Sequence, residues 1–348
     1  MKRLLSSSKE EIADYVMLCG QLASIMEVSA GPKPGSVSKA TDLPVRRAGT
    51  YEHFLTGAVA IGPTIREAAL RGIRAGEKKL KMSNIRIGNL IKQGMESVRL
   101  WHLGGDTHSG PILLFIPIAA ASGKTFAEKG TLTLEGLEEN TNEVISSTTS
   151  HDAVDFYQVM RTGCSPEELG RISEAGEVEV PDIFDESAES KIISQGITLY
   201  EAMKACTWDE FAQEWANGLK STCFRIGYPT LINCFRETGN INTATVGTFL
   251  TILSSFEHGD PCIARWVGLK NSRDIREAVN IGRNKAREIS ARAKEILKLG
   301  GLKTSEGTRA LLELDHELSQ SEGELYPATA ADFTAATLFI AFLLGLRF

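Results

Sequence analysis

Apolar side chains recur along most of the chain at the spacing of an α-helix. Over residues 9–29, Ile12, Tyr15, Val16, Leu18, Cys19, Leu22, Ile25 and Met26 repeat at helical intervals, which predicts a helix with one buried face. The same pattern predicts a helix over 51–76 with a break at Pro63, and another over 83–100, where Gly88 and Gly94 let a second helix come close. The stretch Ile112 to Ala121 is apolar on every side and belongs in the middle of the protein. Helical patterns continue over 134–149, 151–161, 198–206, 208–219, 222–237 (Pro229 a break), 243–257, 271–298 and 304–320, and an apolar helix follows Asp332. No strand-like alternation, heptad, repeat or linker interrupts them. The pattern predicts an all-α fold, a single-domain multi-helix bundle over residues 1–348.

Four polar segments stand beside apolar helices: Glu27 to Ser36, Trp101 to Pro111, His258 to Leu269, and Pro327 to Asp332. Polar groups next to core helices either meet around a pocket or are buried at a cost. These loops are therefore expected to converge on a central cleft. Residues 165–190 carry nine acidic residues and one Arg among prolines and glycines, which predicts an exposed, mobile loop or lid.

Composition narrows the partners. The formal charge of -6 and pI near 5.7 argue against a polynucleotide, while a small anion in a local basic cleft remains allowed. The apolar runs Ile112–Ser122 and Phe333–Leu346 fall short of the roughly 18 residues of a membrane span. Six cysteines without a C-x-x-C pair suggest neither zinc nor a disulfide framework. The polar N-terminus does not resemble a secretory leader. Free thiols fit a cytoplasmic protein.

The first polar segment reads Glu27-Val-Ser-Ala-Gly-Pro-Lys-Pro-Gly-Ser36. Two prolines stiffen it around Lys33, and the Gly35 and Ser36 N–H groups beside an ammonium suit a phosphate. A plain helix–helix turn explains it equally well. In Asp106-Thr-His-Ser-Gly110, Thr107, Ser109 and the Gly110 N–H can bond phosphate oxygens. His108 can serve as general acid or base, and Asp106 can ligate a metal. The alternative is a helix cap with a packed histidine. Asp260 and Arg265 suit either an ion pair or a metal ligand and a phosphate fork. Thr329 and Asp332 suit a helix cap. The basic stretch around 271–298 and the aromatics Trp208, Phe211, Trp215, Phe224 and Tyr228 read as solvated face and core, with one ring able to stack on a base.

Taken together and in this order, these motifs resemble those of triphosphoribosyl-dephospho-coenzyme A synthases, from about residue 13 to 346. The resemblance implies an all-helical transferase that moves the 5-triphosphoribosyl group of ATP to the ribose 2′-hydroxyl of 3′-dephospho-coenzyme A and releases adenine. It implies Lys33 and Arg265 on phosphates, with Gly35, Ser36, Thr107, Ser109 and Gly110 assisting. It implies Mg²⁺ on Asp106, Asp260 and Asp332, with His108 as leading base and Glu27 as a second base or an orienter of Lys33. A homodimer is compatible with it. Two positions depart from the family: Asp106 replaces an Asn and Ser109 a Lys. A His-Lys-Asp-Met-like segment is missing from 37–50, where Asp42 stands nearest, and 165–190 looks like an insert of a divergent, archaeal-type branch. The departures leave two other readings open: a nucleotide N-glycosidase or ribosyltransferase with another acceptor, and a non-catalytic nucleotide-binding helical protein.

Overall fold

The computed structural model describes residues 8–39, 49–172, 180–321 and 323–348; Asp42 lies outside them. Helix α1 spans Lys9–Ser29, as its apolar spacing predicts. Ser8 begins it with a reciprocal cap: its hydroxyl accepts from the Glu11 N–H, and its own N–H donates to the Glu11 carboxylate. The break expected at Pro63 falls at Ile61. It separates α2 (Tyr51–Ala60) from α3 (Gly62–Gly76) and leaves Pro63 in the first turn of α3, where a missing N–H costs nothing. Next come α4 (Ile87–Trp101), α5 (Ser109–Lys129), α6 (Leu134–Ser146), α7 (Ser150–Gly163), the short α8 (Pro166–Leu169), α9 (Ala188–Gln195), α10 (Leu199–Ala205) and α11 (Glu210–Ala216). A π-helical stretch, Lys220–Gly227, runs into α12 (Tyr228–Thr238), followed by α13 (Ile241–Ser255), α14 (Pro261–Leu269), α15 (Ile275–Lys298), α16 (Ser305–Ser319) and α17 (Ala328–Leu343). Among the described residues there is no strand; Arg171 and Asp274 form an isolated bridge.

Helices α5 and α17 form the centre. Phe115 of α5 packs on Phe339 of α17 with ring centroids 4.9 Å apart, and Phe333, Leu338, Phe339 and Phe342 are all fully buried. Each such side chain contributes about 1.5–3 kcal/mol by leaving water. Helix α3 lies directly against α5. A Cβ on Gly72 would sit 1.9 Å from the Ala120 carbonyl oxygen, and one on Gly123 would sit 2.0 Å from that of Ala69. Only glycine at both positions permits that approach. Gly88, expected to admit a neighbour, does so: it meets the start of α7, its N–H donating to Asp152 at 2.9 Å.

Three expectations change. Helix α5 runs beyond Ala121 to Lys129, which makes it long and apolar enough to cross a membrane; its most apolar window is 83% buried inside the protein, so it is the core helix. The segment from His258 is not all loop, because Asp260 caps α14 and nucleates a helix on Pro261. The described part of 165–190 is anchored. Val180 is buried, and Asp182 holds the Arg171 guanidinium and the N–H groups of Ile172 and Phe184.

Candidate active site

A cleft of about 770 Å³ opens at the N-terminal ends of α5, α14 and α17, within the usual range of small-molecule sites. The 164–172 and 180–184 segments and the start of α11 form its other walls. Asp106, Thr107, Ser109, Gly110, Arg265, Thr329 and Asp332 all line it. Trp208, Phe211 and Trp266, with Phe156 and Leu113, form its apolar side. Three thiols, Cys164, Cys206 and Cys262, complete the lining. Burial pushes each of them up to about 12, so they stay protonated and are poor nucleophiles.

Arg265 reaches the cleft from the second turn of α14. Among the described residues it makes no ion pair. One guanidinium nitrogen approaches the Cys262 sulfur at 3.6 Å, the group lies over the Trp266 ring, and Nε is buried without a partner. This half-buried guanidinium, with Nε unpartnered and the cleft open beside it, can take an anionic ligand. Asp332 lines the same cleft from the second turn of α17 and accepts no hydrogen bond among the described residues. Burial, and then the charges of Glu27, Asp106 and Asp260, raise its proton affinity well above that of an ordinary carboxylate. A cation would relieve that crowding. Gly110 makes room for Asp332: a Cβ there would lie 1.9 Å from Asp332 Oδ2.

The remaining expected residues are placed differently. Asp260 is fully buried outside the cleft lining. Its oxygens accept from the N–H groups of Cys262, Ile263 and Ala330, tying α14 to α17, and burial raises it to about 7. It is a cap and not a metal ligand. Among the described residues no group of three or more His, Cys, Asp or Glu side chains is gathered to hold a metal, so the expected carboxylate triad reduces to Asp106 and Asp332. Ser109 gives both its N–H, at 3.0 Å, and its hydroxyl proton to Asp106, which leaves neither for a phosphate.

His108 is 1% exposed and absent from the cleft lining. Ser24 Oγ holds its Nε2 at 2.9 Å and Thr107 Oγ1 its Nδ1 at 2.8 Å. Burial and then the neighbouring His102 push it down to about 3, so it is neutral and too weak a base for the role expected of it. Lys33 is equally withdrawn. Its ammonium meets Glu27 Oε1 and the Glu27 carbonyl oxygen, each at 2.5 Å, and is 1% exposed. The two amides expected to cradle phosphate are taken: Gly35 N–H donates to Asp315 Oδ1 at 3.0 Å, and Ser36 N–H to the Lys33 carbonyl at 2.9 Å. Glu27 therefore partners Lys33, lies outside the cleft lining, and is no base there. Sequence reasoning gave no role to Ser24, His102, Asp209 or Asp315. His102 stood in plain view in the glycine-rich loop; the others carry no local signal.

An all-helical bundle whose central cleft is lined by an arginine and several carboxylates is the architecture of a helical small-molecule-binding protein. Residues 13–347 match the model of the family CitG, ATP:dephospho-CoA triphosphoribosyl transferase, and the chain belongs to that family. It is thus a transferase that carries a triphosphoribosyl group from ATP to dephospho-CoA. The fold agrees with the crystal structure of a putative triphosphoribosyl-dephospho-CoA synthase from Archaeoglobus fulgidus, at 20% identity and a TM-score of 0.55, covering 84% of this chain and 100% of that one. No curated protein matches the chain in sequence.

Proposed function

We propose that the transfer occurs in this cleft, with Arg265 on the triphosphate and Asp332, assisted by Asp106, holding Mg²⁺ against the same phosphates. The observation that carries this is Arg265, with its buried Nε left without a partner, in one cavity with Asp332, whose carboxylate accepts no hydrogen bond among the described residues. Mg²⁺ binds one or two carboxylates plus substrate phosphates and keeps several waters, which suits two aspartates better than a full protein cage. Bound there, it neutralises phosphate charge. The first turn of α5, with the Gly110 amide, adds its positive dipole end. The apolar wall of Trp208, Phe211 and Trp266 takes the purine and the acceptor's less polar arm.

In the reaction the C1′–adenine bond breaks and the acceptor 2′-oxygen bonds to C1′. The proton lost by that hydroxyl ends on the departing adenine, so the overall step is balanced. Positive charge grows on the sugar as the base departs, and the carboxylates of Asp106 and Asp332 stabilise it electrostatically. The six free thiols support a reducing, cytoplasmic setting.

The test is incubation with ATP and Mg²⁺, with and without dephospho-CoA, following free adenine by chromatography. Adenine that appears only with the acceptor, and is lost in Arg265→Met, supports the reading. Release that ignores the acceptor means an N-glycosidase, and binding of ATP with no release under either condition means a non-catalytic protein.

A further inference from the structure

A chain of four side chains runs from the half-buried His102 to the buried Ser24. His102 Nε2 lies 3.0 Å from Thr107 Oγ1, Thr107 Oγ1 lies 2.8 Å from His108 Nδ1, and His108 Nε2 lies 2.9 Å from Ser24 Oγ. Proton positions follow from the ends. At one end the Gly104 N–H donates to His102 Nδ1 at 3.1 Å. A neutral His102 therefore carries its proton on Nε2 and donates to Thr107. At the other end, the only partner of the buried Ser24 hydroxyl among the described residues is His108 Nε2. Leaving a buried O–H unmade is costly, so Ser24 donates and His108 carries its proton on Nδ1. His108 then also donates to Thr107.

Thr107 thus accepts two hydrogen bonds, and its own O–H has no acceptor among the described residues. Two donors into one hydroxyl polarise it and strengthen it as a donor. Thr107 lines the cleft, which is where an acceptor can arrive. Space for this arrangement is reserved at Gly57, where a Cβ would meet His108 Nδ1 at 2.3 Å. With Nε2 accepting from Ser24 and Nδ1 donating to Thr107, His108 is the neutral imidazole. The charged or titratable groups around His102 are His53, its ring 5.2 Å away, and Asp106.

We infer that Ser24, His108 and His102 are positioning residues that lock Thr107 as a one-way hydrogen-bond donor into the cleft, built to take an anionic phosphate oxygen of the substrate. Choosing a phosphate as the anion rests on the function proposed above; the polarity of the chain does not.

Two measurements on the full-length protein test it. Imidazole ¹⁵N NMR reads the tautomers directly: His108 is expected protonated at Nδ1 and bare at Nε2, and His102 the reverse. The opposite tautomer for His108 overturns the lock whether or not the protein turns over ATP. Calorimetry with inorganic triphosphate and Mg²⁺ reads the donor. Thr107→Val is expected to weaken binding about tenfold, in line with one hydrogen bond to a charged group, and Thr107→Ser to keep most of it. Ser24→Ala, which touches no ligand, frees His108 to switch tautomer and lets the Thr107 O–H turn inward, so it should also weaken binding and change the ¹⁵N pattern. Wild-type affinity in Thr107→Val sinks the proposal. Intact triphosphate binding without acceptor-dependent adenine release leaves the lock standing and removes the transferase reading instead.

Discussion

At the scale of single residues, the site rests on the pair Gly110 and Asp332. A glycine in the Asp106–Gly110 loop suggests a phosphate-binding amide to anyone reading the sequence. The fold gives a further reason for it: the Asp332 carboxylate fills the place of its missing side chain. Gly110→Ala should displace Asp332 and lower kcat by about tenfold or more, with little change in Tm, because the clash falls on a cleft side chain and not on the core. Asp332→Asn should lose more activity still, yet gain stability. The sign follows from linkage. The folded state raises the pKa of Asp332, so folding binds a proton that the unfolded chain releases above about pH 4. Stability from this group therefore falls as pH rises from the unfolded pKa towards the folded one. Metal-free wild type and Asp332→Asn should have similar Tm values near pH 4 and diverge by pH 8, the variant being the more stable. Parallel Tm curves across that range would show that Asp332 is not crowded by neighbouring charge.

At the scale of elements, the stiff loop after α1 was legible as a special structure but not as the structure it is. Its prolines and glycines do hold Lys33 in place. What the sequence does not say is which way Lys33 turns, because the choice between a phosphate and Glu27 depends on whether the loop faces solvent or core. It faces core, and the acid six residues upstream at the end of α1 is the partner. Helix positions were legible for the opposite reason: their caps and apolar spacing are local, as at Ser8 and Glu11. Asp260 was legible as a helix start and misread as a ligand, since its third hydrogen bond comes from Ala330, 70 residues away. The buried pair makes a distinct prediction. Lys33→Met strands Glu27 without a counter-charge and should cost about 3–5 kcal/mol of stability, while Lys33→Met with Glu27→Leu should recover most of it. Chemical denaturation of the three proteins decides the point. A Lys33→Met protein of wild-type stability that fails only to bind triphosphate would return Lys33 to the cleft.

At the scale of the whole molecule, the problem is charge. A protein of net charge -6 has to hold a triphosphate in a cleft where, among the described residues, seven carboxylates face two cations. One of those cations, Lys270, is already paired with Glu324, and Asp182 is bound to Arg171. Arg265 alone cannot offset three phosphates beside Asp106, Asp209 and Asp332, since like charges a few ångströms apart in a partly dry site repel by kilocalories. The same acid excess favours a sugar that turns positive as its base leaves, so it serves the transition state while opposing the ground state. A divalent cation reconciles the two. ATP affinity should therefore drop by at least about tenfold when EDTA replaces Mg²⁺, far more than simple salt screening of exposed charges produces. The drop should shrink in Asp332→Asn, where one of the repelling carboxylates and the cation's main protein ligand are removed together. Calorimetric titration of both proteins, with and without Mg²⁺ at constant ionic strength, separates the cases. If wild type binds ATP equally well in EDTA, the cleft must neutralise the triphosphate with its own residues, and the assignment of Asp332 to a metal falls.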